Sequence, residues 1–88
     1  VRVTHYYENG VVKETGTYYR SALHGKWTQY DEDGNVLFEA NYNNGDKEGK
    51  WFKWDLEEEV LYEMIYDDNK LVSVDEWKLE KRNLLADR

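Results

Sequence analysis

Cysteine and proline are both absent from this chain of 88 residues. Without Cys there is no disulfide and no thiolate, so thiol-based chemistry is excluded. The same absence fits the cytoplasm and is equally compatible with export. The compartment stays open, with the cytoplasm as the expectation. Histidine is scarce: His5 and His24 are the only imidazoles, and two His without Cys do not make a zinc site. No metal and no cofactor is expected. No apolar run approaches the ~20 residues of a membrane helix, so membrane insertion is not expected, and no signal peptide is visible. Cationic residues are outnumbered: 12 Lys and Arg face 19 Asp and Glu, for a net charge of -7. Such a chain repels phosphate backbones and anionic lipid surfaces, which sets nucleic acid aside as a partner. Its acidity suits solubility or a basic protein partner.

Aromatic residues, by contrast, are abundant: 4 Trp, 8 Tyr and 2 Phe. A chain this short buries only about 60–65% of its unfolded surface and is marginal on area alone. Large rings bury much area per residue and help a thin structure reach stability. The mean hydropathy of -1.02 fits a structure with much of its surface in water.

The chain repeats itself every 24 residues. Copies beginning at Lys26 and Lys50 match without a gap at Trp27/Trp51, Asp31/Asp55, Val36/Val60, Leu37/Leu61, Glu39/Glu63 and Tyr42/Tyr66. Tyr6, Gly10, Val12, Tyr18 and Gly25 place a third copy ahead of them. The repeats span about 2–25, 26–49 and 50–73 of a single domain, 1–88, with a degenerate cap at 74–88. A fixed short period marks a repeat architecture, and such scaffolds present surfaces more often than they house catalytic pockets. Val1 already stands inside a repeat, as it would in a trimmed piece of a longer protein.

Each copy reads as strand, turn, strand, turn. In the second copy the extended segments are 26–30 and 36–42, joined by a turn ending at Gly34. Glu58 stands where the third copy should have that Gly, which predicts a different turn at 56–59. Val36, Phe38, Ala40 and Tyr42 alternate with Leu37, Glu39 and Asn41, the period of a strand with one more apolar face. The position Gly16/Ala40/Met64 is small in two copies, leaving space for a ring such as Trp27 or Trp51. Asn44-Gly45 is a hairpin signal. The simplest solution is all-β, an antiparallel meander of about six or seven strands in one elongated sheet. The tail from Val74 has two readings. One is a further strand around Trp77 followed by a frayed end, which is preferred; the other is a helix with Asp75 as N-cap.

The residues that carry the period also carry a resemblance. The stretch HGKWTQYDEDGNVLFEANYNNGDKEGKW, from His24 to Trp51, resembles the bacterial variant of the MORN (membrane occupation and recognition nexus) repeat, as found in the YwqK-like antitoxin group. The pattern falls on Gly25, Trp27, Tyr30, Asp31, Gly34, Val36, Leu37, Glu39, Ala40, Tyr42, Gly45 and Gly49. The resemblance covers about residues 4–73. It implies a ladder of β-hairpins, a role in protein contact or scaffolding, an antitoxin of a toxin pair among the options, and no catalytic residues.

Candidate chemistry is thin. Asp31-Glu32-Asp33-Gly34-Asn35 has the look of a calcium loop, but an EF-hand needs flanking helices and a Glu six residues after its Gly, where Ala40 stands. It reads as a hairpin turn with solvated carboxylates. Glu57-Glu58-Glu59 and Asp67-Asp68 lack the apolar wall that would part their pKa values for acid–base work. No nucleophile, base and oxyanion group converge, so catalysis is not expected. The aromatics are more informative. Trp27 and Tyr30, like Trp51 and Trp54, are three apart and fall on opposite faces of a regular strand. One ring joins the core and the other lies on the less covered face. Strand parity therefore selects Tyr30, Trp54, Leu37, Leu61 and Ile65 as candidate contacts for a protein partner. A terminal strand with free amides offers self-association through the sheet edge. Two other functions compete: carbohydrate or cell-envelope binding through exposed aromatics, and simple spacing of other domains.

Overall fold

The computed structural model describes residues 1–79. Eight strands form one open antiparallel sheet: β1 (Arg2–Tyr6), β2 (Val12–Tyr19), β3 (Ala22–Tyr30), β4 (Val36–Asn43), β5 (Asp46–Lys47), β6 (Gly49–Asp55), β7 (Val60–Asp67) and β8 (Lys70–Lys78). The spatial order is β1-β2-β3-β4-β6-β7-β8, with the β5 stub pairing only with β4. This is the all-β hairpin meander that the alternation predicts. The count is eight rather than six or seven because the returning strand shifts by two residues against β4 between Lys47 and Phe52, which leaves β5 as a two-residue piece. The sheet measures 48 × 37 × 21 Å. Among the described residues no helix is long and apolar enough to cross a membrane.

Two kinds of turn alternate at the two ends of the strands. At one end, Arg20-Ser21, Asn44-Gly45 and Asp68-Asn69 all have positive φ at both central residues, between 51° and 91°. Each joins a directly paired set: Tyr19 with Ala22, Asn43 with Asp46, Asp67 with Lys70. This is the two-residue turn whose twist matches that of the strands. Only the middle copy has Gly at its second position, so Ser21 and Asn69 hold the left-handed conformation without one. These turns are bonded to one another. Gly45 N–H donates to the Leu23 carbonyl at 2.8 Å, and Asn69 N–H donates to the equivalent Lys47 carbonyl at 2.9 Å.

At the other end, the first two copies share one loop. Gly10 and Gly34 have φ of +90° and +91°, and each N–H donates back three residues, at 3.0 Å, to Tyr7 and Asp31. A one-residue register shift follows in both hairpins, at His5/Tyr6 and at Gln29/Tyr30. The third copy departs at 56–59, as the loss of Gly predicts. Glu59 takes φ +58° and Glu58 N–H donates to Asp55 Oδ1 at 3.0 Å. Its β6–β7 hairpin then pairs from Gly49 to Asp55 without a shift.

The core is one face of a single layer, covered by its own rings. Trp27, Ala40 and Trp51 are its buried centre, and Phe38, Tyr42, Met64 and Tyr66 pack around them. Trp27 lies across β2, its Nε1–H donating to the Thr17 carbonyl at 3.0 Å. A Cβ on Gly16 would overlap the Trp27 ring. Trp51 repeats the arrangement one unit on, donating to the Asn41 carbonyl at 2.9 Å with Ala40 only 2% exposed. The small position does make room for a ring, in both copies that have it. Edge-to-face contacts of Tyr18 with Trp27 (5.3 Å) and of Phe38 and Tyr42 with Trp51 (5.5 and 5.1 Å) complete the layer.

The tail continues the sheet. β8 pairs with β7 along its whole length and places Asp75 opposite Glu63, in strand rather than at the start of a helix. The helical alternative is thereby corrected: pairing satisfies the backbone of the β7 edge and sets Val74 against Met64 and Trp77 against Leu61. The expected frayed end lies at 80–88, outside the described residues.

Candidate interaction site

The sheet offers two chemically different faces. The first holds the aromatic core just described. The second carries an ion pair in each of two copies, Lys26–Glu39 at 3.8 Å and Lys50–Glu63 at 3.6 Å, 24 residues apart. Between and beside these pairs stand apolar side chains. β6 pairs without a register shift, so Trp51 and Trp54 fall on opposite faces, with Trp51 buried and Trp54 half-buried. Residues directly opposite on neighbouring strands share a face. Leu61 faces Trp54 on one side and Trp77 on the other, which makes a row of three across β6, β7 and β8.

All five residues selected by parity are half-buried. Leu61 is the middle of that row. Ile65 lies two same-face positions along β7, beyond Glu63, opposite Lys50 and Ser73. Leu37 and Trp54 meet at the seam between the second and third copies, where they line a cleft of about 290 Å³ together with Gln29, Phe38 and Lys53. The cleft exists because β4 and β6 pair only at Phe38–Lys53 and Glu39–Phe52, so the hairpins part beyond Phe38. Tyr30 stands apart from the group, at the register shift opposite Val36, and its carbonyl accepts the Tyr7 hydroxyl at 2.6 Å. The structure adds two rings to this surface. Phe52 lies 5.9 Å from Trp54, and Trp77 is 53% exposed. Phe52 was accessible to the same parity rule. Trp77 was not, because its register depends on a shift between Ile65 and Tyr66 that leaves no mark in the spacing.

The first face is not sealed. A cavity of about 200 Å³ opens beside Trp27, walled by Tyr18, Leu23, Phe38, Ala40 and Tyr42, with Glu14 and Gln29 at one end. Gln29 Nε2 donates to Glu14 Oε1 at 3.3 Å, and His5 Nε2 lies 3.9 Å from the other oxygen. Burial, with the nearby Glu14 charge adding to it, holds the Tyr42 hydroxyl above its ordinary pKa, so Tyr42 is a neutral ring wall. One copy further along, Lys47 Nζ sits over the rings of Trp51 and Tyr66, at 5.2 and 5.1 Å from their centroids.

The acidic turn at Asp31 is self-contained. Its Oδ1 accepts from Asp33 N–H at 2.9 Å and Asn35 N–H at 2.8 Å, and its Oδ2 accepts from Asn35 Nδ2 at 3.1 Å. These bonds, the Asn35 side chain's foremost, lower the Asp31 pKa. Its carboxylate is thus committed to shaping the hairpin. Among the described residues no three His, Cys, Asp or Glu stand close enough together to hold a metal.

Residues 2–18 and 23–44 match the sequence profile of the MORN repeat variant. These are the first two copies up to and just past their second strands, and the match supports a MORN-repeat protein. No curated protein and no solved structure matches the chain.

Proposed function

We propose that this MORN-type repeat chain is a non-enzymatic interaction module that binds another protein through the second face of its sheet. The observation that supports it best is the row Trp54–Leu61–Trp77 continuing into the cleft at Leu37, on a face over which the described residues supply no covering layer. Large rings beside a cleft, ringed by charged pairs, have the make-up of a contact centre with a polar rim. The net charge of -7 favours a basic partner. In its finer form the reading is antitoxin-like, with a bacterial toxin held against this face.

The test is affinity capture from the native host by the tagged protein, with Trp54→Ala and Trp77→Glu compared with the parent. One stoichiometric partner, lost in both variants while they still unfold cooperatively, is the expected result. Trp77 is half-exposed, so its variant stays folded even where Trp54→Ala does not. Capture that survives Trp77→Glu, with Trp54→Ala simply unfolded, places these residues in the architecture and overturns the assignment. A tryptophan fluorescence change with glycans, and no protein captured, replaces it with the carbohydrate reading.

A further inference from the structure

The two aromatic bays on the first face are repeats of one another, and they differ in a complementary way. Adding 24 to Tyr18, Trp27 and Tyr42 gives Tyr42, Trp51 and Tyr66. The later bay is filled from within, since the Lys47 ammonium lies over Trp51 and Tyr66. The residue equivalent to Lys47 in the earlier bay is Leu23, which has no charge to place there. That bay is the one with an open cavity of about 200 Å³. It is also the one with a carboxylate: Glu14 stands at its end, whereas the equivalent position of the later bay is Phe38. The bay that holds the Lys47 ammonium thus has Phe38 in place of the acid, and the bay that has the acid holds no lysine or arginine among the described residues, Glu14 meeting Gln29 at 3.3 Å and the His5 imidazole at 3.9 Å.

We propose that the bay formed by Tyr18, Trp27, Phe38 and Tyr42, with Glu14 at its end, is a binding site for an alkylammonium cation. The ring faces supply the quadrupole attraction that holds ammonium groups, strongest for a Trp and for a cation shielded from water. Trp27 is held in place for this by its hydrogen bond to Thr17 and by the Tyr18 edge, so little ordering is left to occur on binding. Glu14 supplies the opposite charge, and the overall charge of the chain attracts cations toward it. In the later bay the equivalent rings, Trp51 and Tyr66, already hold the Lys47 ammonium at 5.2 and 5.1 Å. The same chemistry comes from two sources, a lysine side chain of a protein partner or a free quaternary ammonium compound. Gln29 and Phe38 also line the cleft at Leu37 and Trp54, but the bay's Trp27, Tyr18, Tyr42 and Glu14 take no part in that surface, and the site does not depend on it.

The experiment follows the indole N–H resonances of the whole chain during titration with choline, with its neutral carbon analogue 3,3-dimethylbutan-1-ol, and with N-acetyl-lysine amide. A saturable millimolar shift of the Trp27 indole with choline, and none with the neutral analogue, is the expected result. The lysine compound binding as well as choline points to a protein side chain as source; choline alone binding points to the free compound. Glu14→Gln should weaken binding about fivefold. Leu23→Lys copies the later bay and should abolish binding by filling the earlier one from within. Equal shifts with choline and the neutral analogue reduce the site to an apolar cavity and overturn the proposal. So does the absence of any saturable shift at Trp27, or an unchanged affinity in Glu14→Gln.

Discussion

Trp51 lies across Ala40 and is 4% exposed, whereas one copy further on the place opposite Met64 is taken by Val74, 53% exposed. The period would put Asp75 there, but the register between β7 and β8 shifts by one residue where β2–β3 and the pairing of β4 with β5 and β6 shift by two. In the two earlier units a small residue below and a Trp above form one packing piece, bolted by the indole N–H to a carbonyl of the strand beneath. At β7–β8 the lower residue is itself large and the upper one small. The inner unit stabilises the sheet by burying a ring; the outer one covers its neighbour thinly and leaves Leu71, Val72, Val74 and Trp77 half-exposed. A repeat sequence thus assigns unequal stability to positions that share a backbone.

The largest test of this contrast is to remove the upper residue in each place. Trp51→Ala should cost about 3–5 kcal/mol, much of the stability of a small domain, while Val74→Ala costs under about 1 kcal/mol. Urea unfolding of the two variants measures both, and equal losses would erase the distinction. Next is the lower residue. Gly16→Ala pushes a methyl into the Trp27 ring and should cost about 1–3 kcal/mol in the same assay, although alanine is the residue found at the equivalent Ala40. The two units would then be shown to have fitted their indoles at different heights. If Gly16→Ala is neutral, Trp27 has freedom to shift and the fit is looser than the packing indicates.

A smaller effect is expected in the turns. Ser21 holds φ +68° with no side-chain bond to compensate among the described residues, so Ser21→Gly should stabilise by about 1 kcal/mol. Asn69 holds φ +71° but also bonds Lys47 N–H through Oδ1 and Asp46 through Nδ2, at 2.9 and 2.8 Å, so Asn69→Gly should bring no gain. Thermal unfolding separates the two. The smallest effect is electrostatic. The folded-state pKa of Asp31 is lowered, so its contribution is fully present above the ordinary carboxylate pKa of about 3.9 and is lost as pH falls through the lower folded value. The stability difference between the parent and Asp31→Asn should therefore be constant near neutrality and change only on the acid limb. A difference that moves around pH 7 would contradict this.

Much of the architecture was legible because the period of two and the period of the repeat reinforce one another. The hairpin meander, the Trp above a small residue, the Asn44-Gly45 turn and the altered turn at 56–59 all follow from local rules that tertiary packing did not override. The misses have a common cause. Register shifts at His5/Tyr6, Gln29/Tyr30 and Ile65/Tyr66 each leave one residue of the partner strand unpaired (Lys13, Leu37 and Val72) without altering the 24-residue period, yet each moves the partner of every residue beyond it. Trp77 joined the second face through such a shift. Leu37 and Trp54 were legible one by one, but their meeting in a cleft was not, since it depends on β4 and β6 parting after two paired residues. The Lys47 ammonium over two rings depends on where β5 sets Lys47 opposite Tyr42, a pairing that the spacing does not reveal.

The bonds from Gly45 to the Leu23 carbonyl and from Asn69 to the Lys47 carbonyl tie each turn to the one before it and to nothing further away. Such a molecule behaves as a row of nearest-neighbour couplings, in which a unit's persistence depends on whether the adjacent unit is formed. Opening then proceeds as fraying from either rim toward the middle. The amides of β3, β4 and β6 exchange last with solvent, and the two aromatic bays, which straddle those strands, sit where the sheet is slowest to come apart.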